Sequence, residues 1–101
     1  MSGGEAEQQP KAIILDKADT VAVVLRAVSA GEEISMPGHK TVIAQSDLPR
    51  FHKIALRHVA VGEDIIKFGQ IIGVAATKIT IGDHVHIHNL RSRRATNTSQ
   101  E

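Results

Sequence analysis

Three times along the chain a turn of the same build interrupts the apolar sequence: Ala30-Gly31-Glu32, Val61-Gly62-Glu63 and Ile81-Gly82-Asp83. Each is followed, after one residue, by Ile34, Ile65 or Val85. Glycine at the corner admits positive φ and the acid beside it stays solvated, so each reads as a strand-turn-strand corner. Short β-branched runs lie between such signals: residues 21–24 after Asp19 and Thr20, 41–43 after Pro37-Gly38, and 65–68 and 71–74 around Gly69. Runs this short and this often broken predict a mainly β domain of short strands, with at most a short helix. Val21, Val24, Leu25 and Val28 also fit the spacing of an amphipathic helix, but the β-branched cluster there favours a strand. The corner device is too short and too unevenly spaced for a solenoid.

With 101 residues, 42% of them hydrophobic, the chain supports one domain. Residues 1–11 and 91–101 carry too little apolar mass to join a core and are expected to be flexible tails around a body at 12–90. So small a body has little interior for an enclosed active site, and a catalytic cleft would need a partner surface. Phe51 and Phe68 are the only aromatics and the formal net charge is +1, which argues against a base-stacking platform and against a field that recruits nucleic acid or membranes. Cysteine is absent, so thiolate metal sites and thiol nucleophiles are excluded. No secretory signal or membrane-length apolar run is visible, which makes a cytoplasmic location the expectation. Phosphate loops, nucleophile elbows and His-Glu-x-x-His helices are missing, and the basic cluster Arg91, Arg93 and Arg94 reads as a solvated tail.

The stretch Gly82-Asp83-His84-Val85-His86-Ile87-His88-Asn89 is the most informative. In a strand, His84, His86 and His88 would line one face and Val85 and Ile87 the other. Neutral imidazole is a common ligand for zinc, iron and manganese, and histidines at i and i+2 can converge on one ion. His84 and His88 would stand about 13 Å apart on an extended strand, so all three could share an ion only if the strand bends. The expectation is that His84 and His86 bind metal and that a remaining histidine moves protons. The competing reading, solvated histidines on an exposed face, holds for most isolated histidines but weakens when three cluster.

A second cluster is Phe51-His52-Lys53-Ile54-Ala55-Leu56. As a strand it would put His52, Ile54 and Leu56 on one face and Lys53 on the other. Partial burial would suit His52 as a general base, although a half-buried histidine bonded to backbone is equally ordinary. Lys67, in Ile66-Lys67-Phe68-Gly69, has the point charge to grip a carboxylate, and more often such a lysine is only solvated.

Taken in order, His52-Lys53-x-Ala55-Leu56, Gly62-Glu63, Ile66-Lys67-Phe68-Gly69, Ile72-Gly73-x-Ala75, Ile79 and Gly82-x-His84-Val85-His86-x-His88-Asn89 resemble the amino-terminal domain of altronate and galactarate dehydratases. They also resemble the separate small subunit of sulfolactate sulfo-lyase. The likeness covers nearly the whole body, and the ordered combination is specific. It implies a β-clip domain of the SAF type, related in fold to type III antifreeze proteins and the carboxy-terminal domain of sialic acid synthase. It further implies a lyase that depends on a divalent metal, iron or manganese. This chain would be a small subunit, inactive alone, with a separately encoded large catalytic subunit and a sugar acid such as altronate, or a related 2-hydroxy acid, as substrate. Two positions depart from the pattern: Phe68 stands where tyrosine is expected, and Phe51 where glycine is expected before the histidine.

Eliminating water or sulfite from a 2-hydroxy acid requires removal of a weakly acidic proton beside a carboxylate and stabilisation of the resulting enediolate. The expected roles are His52, His86 and His88 in proton movement, His84 and His86 as metal ligands, and Lys53, Lys67 and Asn89 as substrate contacts. The alternative is a non-catalytic substrate-binding or assembly module of the same fold. Because the apolar strands are independent of the histidine face, the domain is expected to fold without metal.

Overall fold

A computed structural model describes residues 10–92, which form nine short strands and, among the described residues, no helix. The strands are β1 (Ala12–Ile13), β2 (Val21–Val24), β3 (Glu33–Met36), β4 (His39–Ile43), β5 (Lys53–Ala55), β6 (Asp64–Lys67), β7 (Gln70–Ala75), β8 (His84–Val85) and β9 (Leu90–Arg91). Every pairing is antiparallel. A central sheet runs β1-β2-β5-β8, β3 and β4 form a hairpin, and β6 and β7 form another that β9 joins along β7. The expected mainly β domain of short strands is what the chain forms, and residues 21–24 are a strand.

The central pair β2 and β5 separates two apolar clusters. Ala22, Val24, Ile54 and Leu56 pack into one with Ile34, Val42 and Leu48. Val21 and Ala55, facing the other way, pack with Val59, Ile65, Ile79 and Val85. Both faces of these strands are therefore buried, which yields a continuous apolar run rather than an alternating one. That double burial is why the segment around Val21 to Val28 also satisfied a helical pattern.

The two lobes repeat one another with an offset of thirty-one residues. The bridge Val28↔Leu48 has its counterpart in Val59↔Ile79. Gly31 N donates to Ala44 O at 2.7 Å and Gly62 N to Ala75 O at 2.8 Å. Glu32 and Glu63 each accept an amide proton three residues back, from Ser29 at 2.9 Å and Ala60 at 2.8 Å. Phe51 N donates to Val24 O, as Gly82 N does to Ala55 O, both at 2.8 Å. Phe51 thus occupies the place of Gly82, and both sit in the left-handed region, at φ 70° and 90°. A side chain at Gly82 would also collide with Ile43 O. The corner device is therefore part of a duplicated unit, with the Gly82 corner matching Phe51 rather than Gly31.

The expected tails fall mostly outside the described residues. At their inner edges, Lys11 N donates to Ser35 O at 2.9 Å, Lys11 pairs with Glu32 at 3.0 Å, and Arg91 pairs with Val74 in β9. No helix among the described residues is long and apolar enough to cross a membrane.

Candidate functional site

β5 and β8 pair with Lys53 opposite Val85 and Ile54 opposite His84. Ile54 and Val85 are wholly buried in the two opposite clusters, so this pairing is anchored on both faces, and it sets His84 opposite Ile54, two residues along the chain from His52. His52 is fixed at its own backbone as well: its carbonyl accepts from Val24 N at 2.9 Å and its amide donates to Pro49 O at 3.1 Å. On this frame His52 Nδ1 and His84 Nε2 lie 2.9 Å apart, one donating and one accepting.

Beyond Val85 the chain departs from the extended course expected of residues 84–89. The strand ends at Val85 and residues 86–89 form a turn. Asn89, nearly fully buried, closes it: its Oδ1 accepts from His86 N at 2.9 Å, its Nδ2 donates to His84 O at 2.9 Å, and its backbone N donates to His86 O at 3.0 Å. Asparagine side chains compete in this way with the ladder for backbone groups. Two expectations are corrected as a result. Ile87 does not pack beside Val85 but is 82% exposed, and His88 is not remote from His84 but has its ring centroid 5.4 Å away.

The turn gathers four imidazoles. His52 and His86 stack with centroids 4.4 Å apart, and His84 and His86 lie nearly parallel at 5.4 Å. One ring nitrogen from each of His52, His84 and His86 lies within 4.8 Å of the others. Sequence reasoning paired His84 with His86 as ligands and gave His52 a separate role; the structure puts all three in reach of a common point.

Burial, followed by the neighbouring His52, His88, His86 and Lys53, holds the His84 imidazole below its ordinary value. Desolvation, then His52, Lys53 and His88, lowers His86 likewise. Half-buried Lys53 is lowered by desolvation and by the charge of Lys67. The charged neighbours that shift these three groups are themselves bases. Neutral imidazoles with free lone pairs are the form that binds metal, so this environment favours ligation.

Lys67 comes from the β6–β7 hairpin, where its ammonium stands 5.5 Å from the Phe68 ring and Phe68 has φ 54°. Asp19, only 1% exposed, fastens that hairpin to the central sheet. Its Oδ1 accepts from Gly69 N at 2.7 Å, and its Oδ2 accepts from Leu15 N at 3.0 Å and Asp16 N at 3.2 Å. In the sequence Asp19 reads only as a turn signal. An acid just before a fully apolar run is the clue that it is buried and satisfied by amides. His58 and His39 lie apart from the cluster, with His58 Nδ1 accepting from Ile81 N at 3.4 Å and His39 Nδ1 beside Lys40 O at 2.8 Å.

Known proteins resemble this chain along most of its length. Residues 10–93 match the family model described as the altronate/galactarate dehydratase SAF domain. Altronate dehydratase from Escherichia coli K12 is 43% identical over 74 residues, 73% of this chain and 15% of that protein. Altronate dehydratase from Bacillus subtilis 168 is 36% identical over 80 residues, 79% of this chain and 16% of that protein. The chain thus spans about a sixth of the length of these dehydratases. The (2R)-sulfolactate sulfo-lyase subunit alpha of Chromohalobacter salexigens is 33% identical over 88 residues, 81% of this chain and 94% of that subunit. With the match running through every strand from β1 to β9, this chain belongs to the altronate/galactarate dehydratase SAF domain family.

Proposed function

We propose that the domain is the small subunit of a metal-dependent lyase that eliminates water, or sulfite, from a 2-hydroxy acid, with a sugar acid such as altronate as the leading substrate. A separately encoded large chain supplies the rest of the active site, and the small chain is inactive alone. A cytoplasmic setting belongs to the same reading. The observation that carries it is the convergence of one nitrogen each from His52, His84 and His86 within 4.8 Å.

The donor set fits a divalent transition metal. Two nitrogens bound to one ion at about 2.0–2.1 Å stand roughly 3.0–3.4 Å apart, close to the His52–His84 spacing. An all-imidazole set suits iron better than manganese, which prefers oxygen ligands. Such an ion would supply Lewis-acid stabilisation of negative charge on the substrate oxygens. In this reading His52, His84 and His86 hold it, while Asn89 fixes the turn that aims His86. His88, whose ring is tilted beside that of His84, moves the proton in this reading. Lys53 and Lys67 supply the positive charge that orients the substrate carboxylate, and loss of solvent around Lys53 strengthens that attraction.

The test is anaerobic titration of the domain with Fe(II), Mn(II) and Zn(II), followed by turnover after reconstitution with the co-purified large chain on altronate, galactarate and sulfolactate. His84→Ala should lower metal affinity at least tenfold and abolish turnover with little change in fold. Full turnover by a variant lacking both His84 and His86 would defeat the proposal and return the domain to a non-catalytic module.

A further inference from the structure

We propose that the second lobe carries a binding groove for a small organic acid, whose carboxylate takes on Val61 N the place that Asp47 takes on Ala30 N in the first lobe. The groove shares no lining residue with the histidine cluster, so it stands independently of the lyase reading.

The internal repeat supplies the argument. Around the two bridges the backbone hydrogen bonds correspond: Val28 and Leu48 exchange theirs as Val59 and Ile79 do, and His52 N donates to Pro49 O as Asp83 N does to Thr80 O. One side-chain bond of the first lobe is missing from the second. Asp47 Oδ1 accepts from Ala30 N at 2.9 Å, and the matching positions hold Lys78 and Val61. An ammonium cannot accept, so the Val61 amide has no acceptor among the described residues.

Two side-chain donors lie with that amide. Lys78 is exposed and makes no hydrogen bond or ion pair among the described residues. His58, where the first lobe has Ala27, accepts at Nδ1 from Ile81 N at 3.4 Å, so the neutral ring carries its proton on Nε2 and can donate from there. His58, Val61 and Lys78 line one groove of about 440 Å³, together with the buried Val59 and Ile79. Glu63 also lines it, but its Oε1 accepts from Ala60 N at 2.8 Å, as Glu32 Oε1 does from Ser29 N. The first lobe shows that a carboxylate sits on the Ala30 amide two residues from that matching glutamate.

Size and lining choose the ligand. The groove exceeds what one aspartyl side chain fills and falls within the roughly 300–1,000 Å³ of small-molecule sites, which are mainly apolar with a few polar groups placed to orient the ligand. Val59, Ala60 and Ile79 offer apolar contact to the carbon body of an organic acid and nothing to an inorganic anion.

Titration of the isotope-labelled full chain with propionate, inorganic phosphate or a capped peptide holding one aspartate, followed by amide NMR, tests this. Propionate should shift the Val61 amide and the His58 ring signals saturably and leave the Ala30 amide in place. Lys78→Gln should weaken propionate binding roughly tenfold or more, the worth of one charged hydrogen bond. Lys78→Asp should lose binding altogether and shift the Val61 amide without ligand, with a melting temperature equal to the parent's or higher, because the chain then closes the groove as Asp47 does. Absence of a saturable Val61 shift, or parental affinity in Lys78→Gln, would overturn the site. Phosphate bound as tightly as propionate would make it a plain anion site, and tighter binding of the aspartyl peptide would give the groove to a protein partner. Either result overturns the organic-acid assignment.

Discussion

Nδ1 of His52 and Nε2 of His84 stand 2.9 Å apart across β5 and β8, although 32 residues separate them in the chain. One proton satisfies the contact and two would make it repulsive. A pair so placed is either a hydrogen-bonded couple or, with that proton displaced, two ligands for one ion.

The pH dependence of folding follows from the same crowding. His84 and His86 titrate below the ordinary imidazole value of 6.5, chiefly because both lose hydration. As the pH falls, the unfolded chain takes up protons first. Their stabilisation is therefore complete above about pH 6.5 and is lost as the pH drops through the lower folded values. The metal-free domain should melt at a constant temperature from about pH 8 to 7 and progressively lower below about 6.5. Changing His84 and His86 to Gln should flatten that limb. Glu32, held below 4.5 by the Ser29 amide and then Lys11, contributes a separate loss beginning only in more acid solution. A melting temperature unchanged from pH 7 to 5 in the unaltered domain would contradict the assignment.

Much of the fold was legible because Gly31, Gly62 and Gly82 punctuate runs of β-branched residues, and corners of that kind leave room only for short strands. β2 was ambiguous because period alone cannot identify a strand buried on both faces. The duplicated unit was partly hidden because Phe51 stands where the repeat would show glycine. The histidines were legible as a cluster but not as a geometry. Alternation along residues 84–89 assumes a ladder, and the side chain of Asn89 takes the backbone groups of His84 and His86 that a ladder would need. The approach of His52 depends on the β5–β8 register, which no local pattern encodes.

Asp19 should prove a stability residue out of proportion to its size. Replacing it with Ala leaves the part-buried amides of Leu15, Asp16 and Gly69 without their acceptor, and a polar group left unpaired away from water costs about 1–3 kcal/mol. A loss of several kcal/mol, or failure to fold, is expected in denaturant melts. Asn, which retains one acceptor oxygen, should fall between. An Asp19→Ala domain as stable as the parent would mean that water or a rearranged turn satisfies those amides.

The equivalence of Phe51 and Gly82 makes opposite predictions for exchanging residue types at the two places. Phe51→Gly relieves about 1–2 kcal/mol of left-handed strain and loses an exposed ring contact with Arg50 together with some unfolded-state restriction. Its stability should match or slightly exceed that of the parent. Gly82→Ala gains the strain and drives its Cβ into Ile43 O, so it should lose at least about 2 kcal/mol, or roughly 8–16 °C for a domain of this size. Equal and small effects at both sites would dissolve the equivalence.

Asn89 separates a structural role from a substrate role most cleanly. Its amide bridges His86 N and His84 O, so removing it frees the turn that brings His86 and His88 back over His84. Asn89→Ala should cost about 1–3 kcal/mol from the groups left unpaired. Asn89→Asp keeps the acceptor for His86 N but turns a carboxylate oxygen toward the His84 carbonyl, so it should impair the turn nearly as much while adding negative charge beside the imidazoles. Both changes should weaken metal binding by the isolated domain, measured calorimetrically below the melting range, and both should disperse the histidine ring signals in proton NMR. If Asn89 instead acts only by touching substrate, metal affinity and ring signals will stay at parental values in Asn89→Ala, and the reconstituted enzyme will show a raised KM alone.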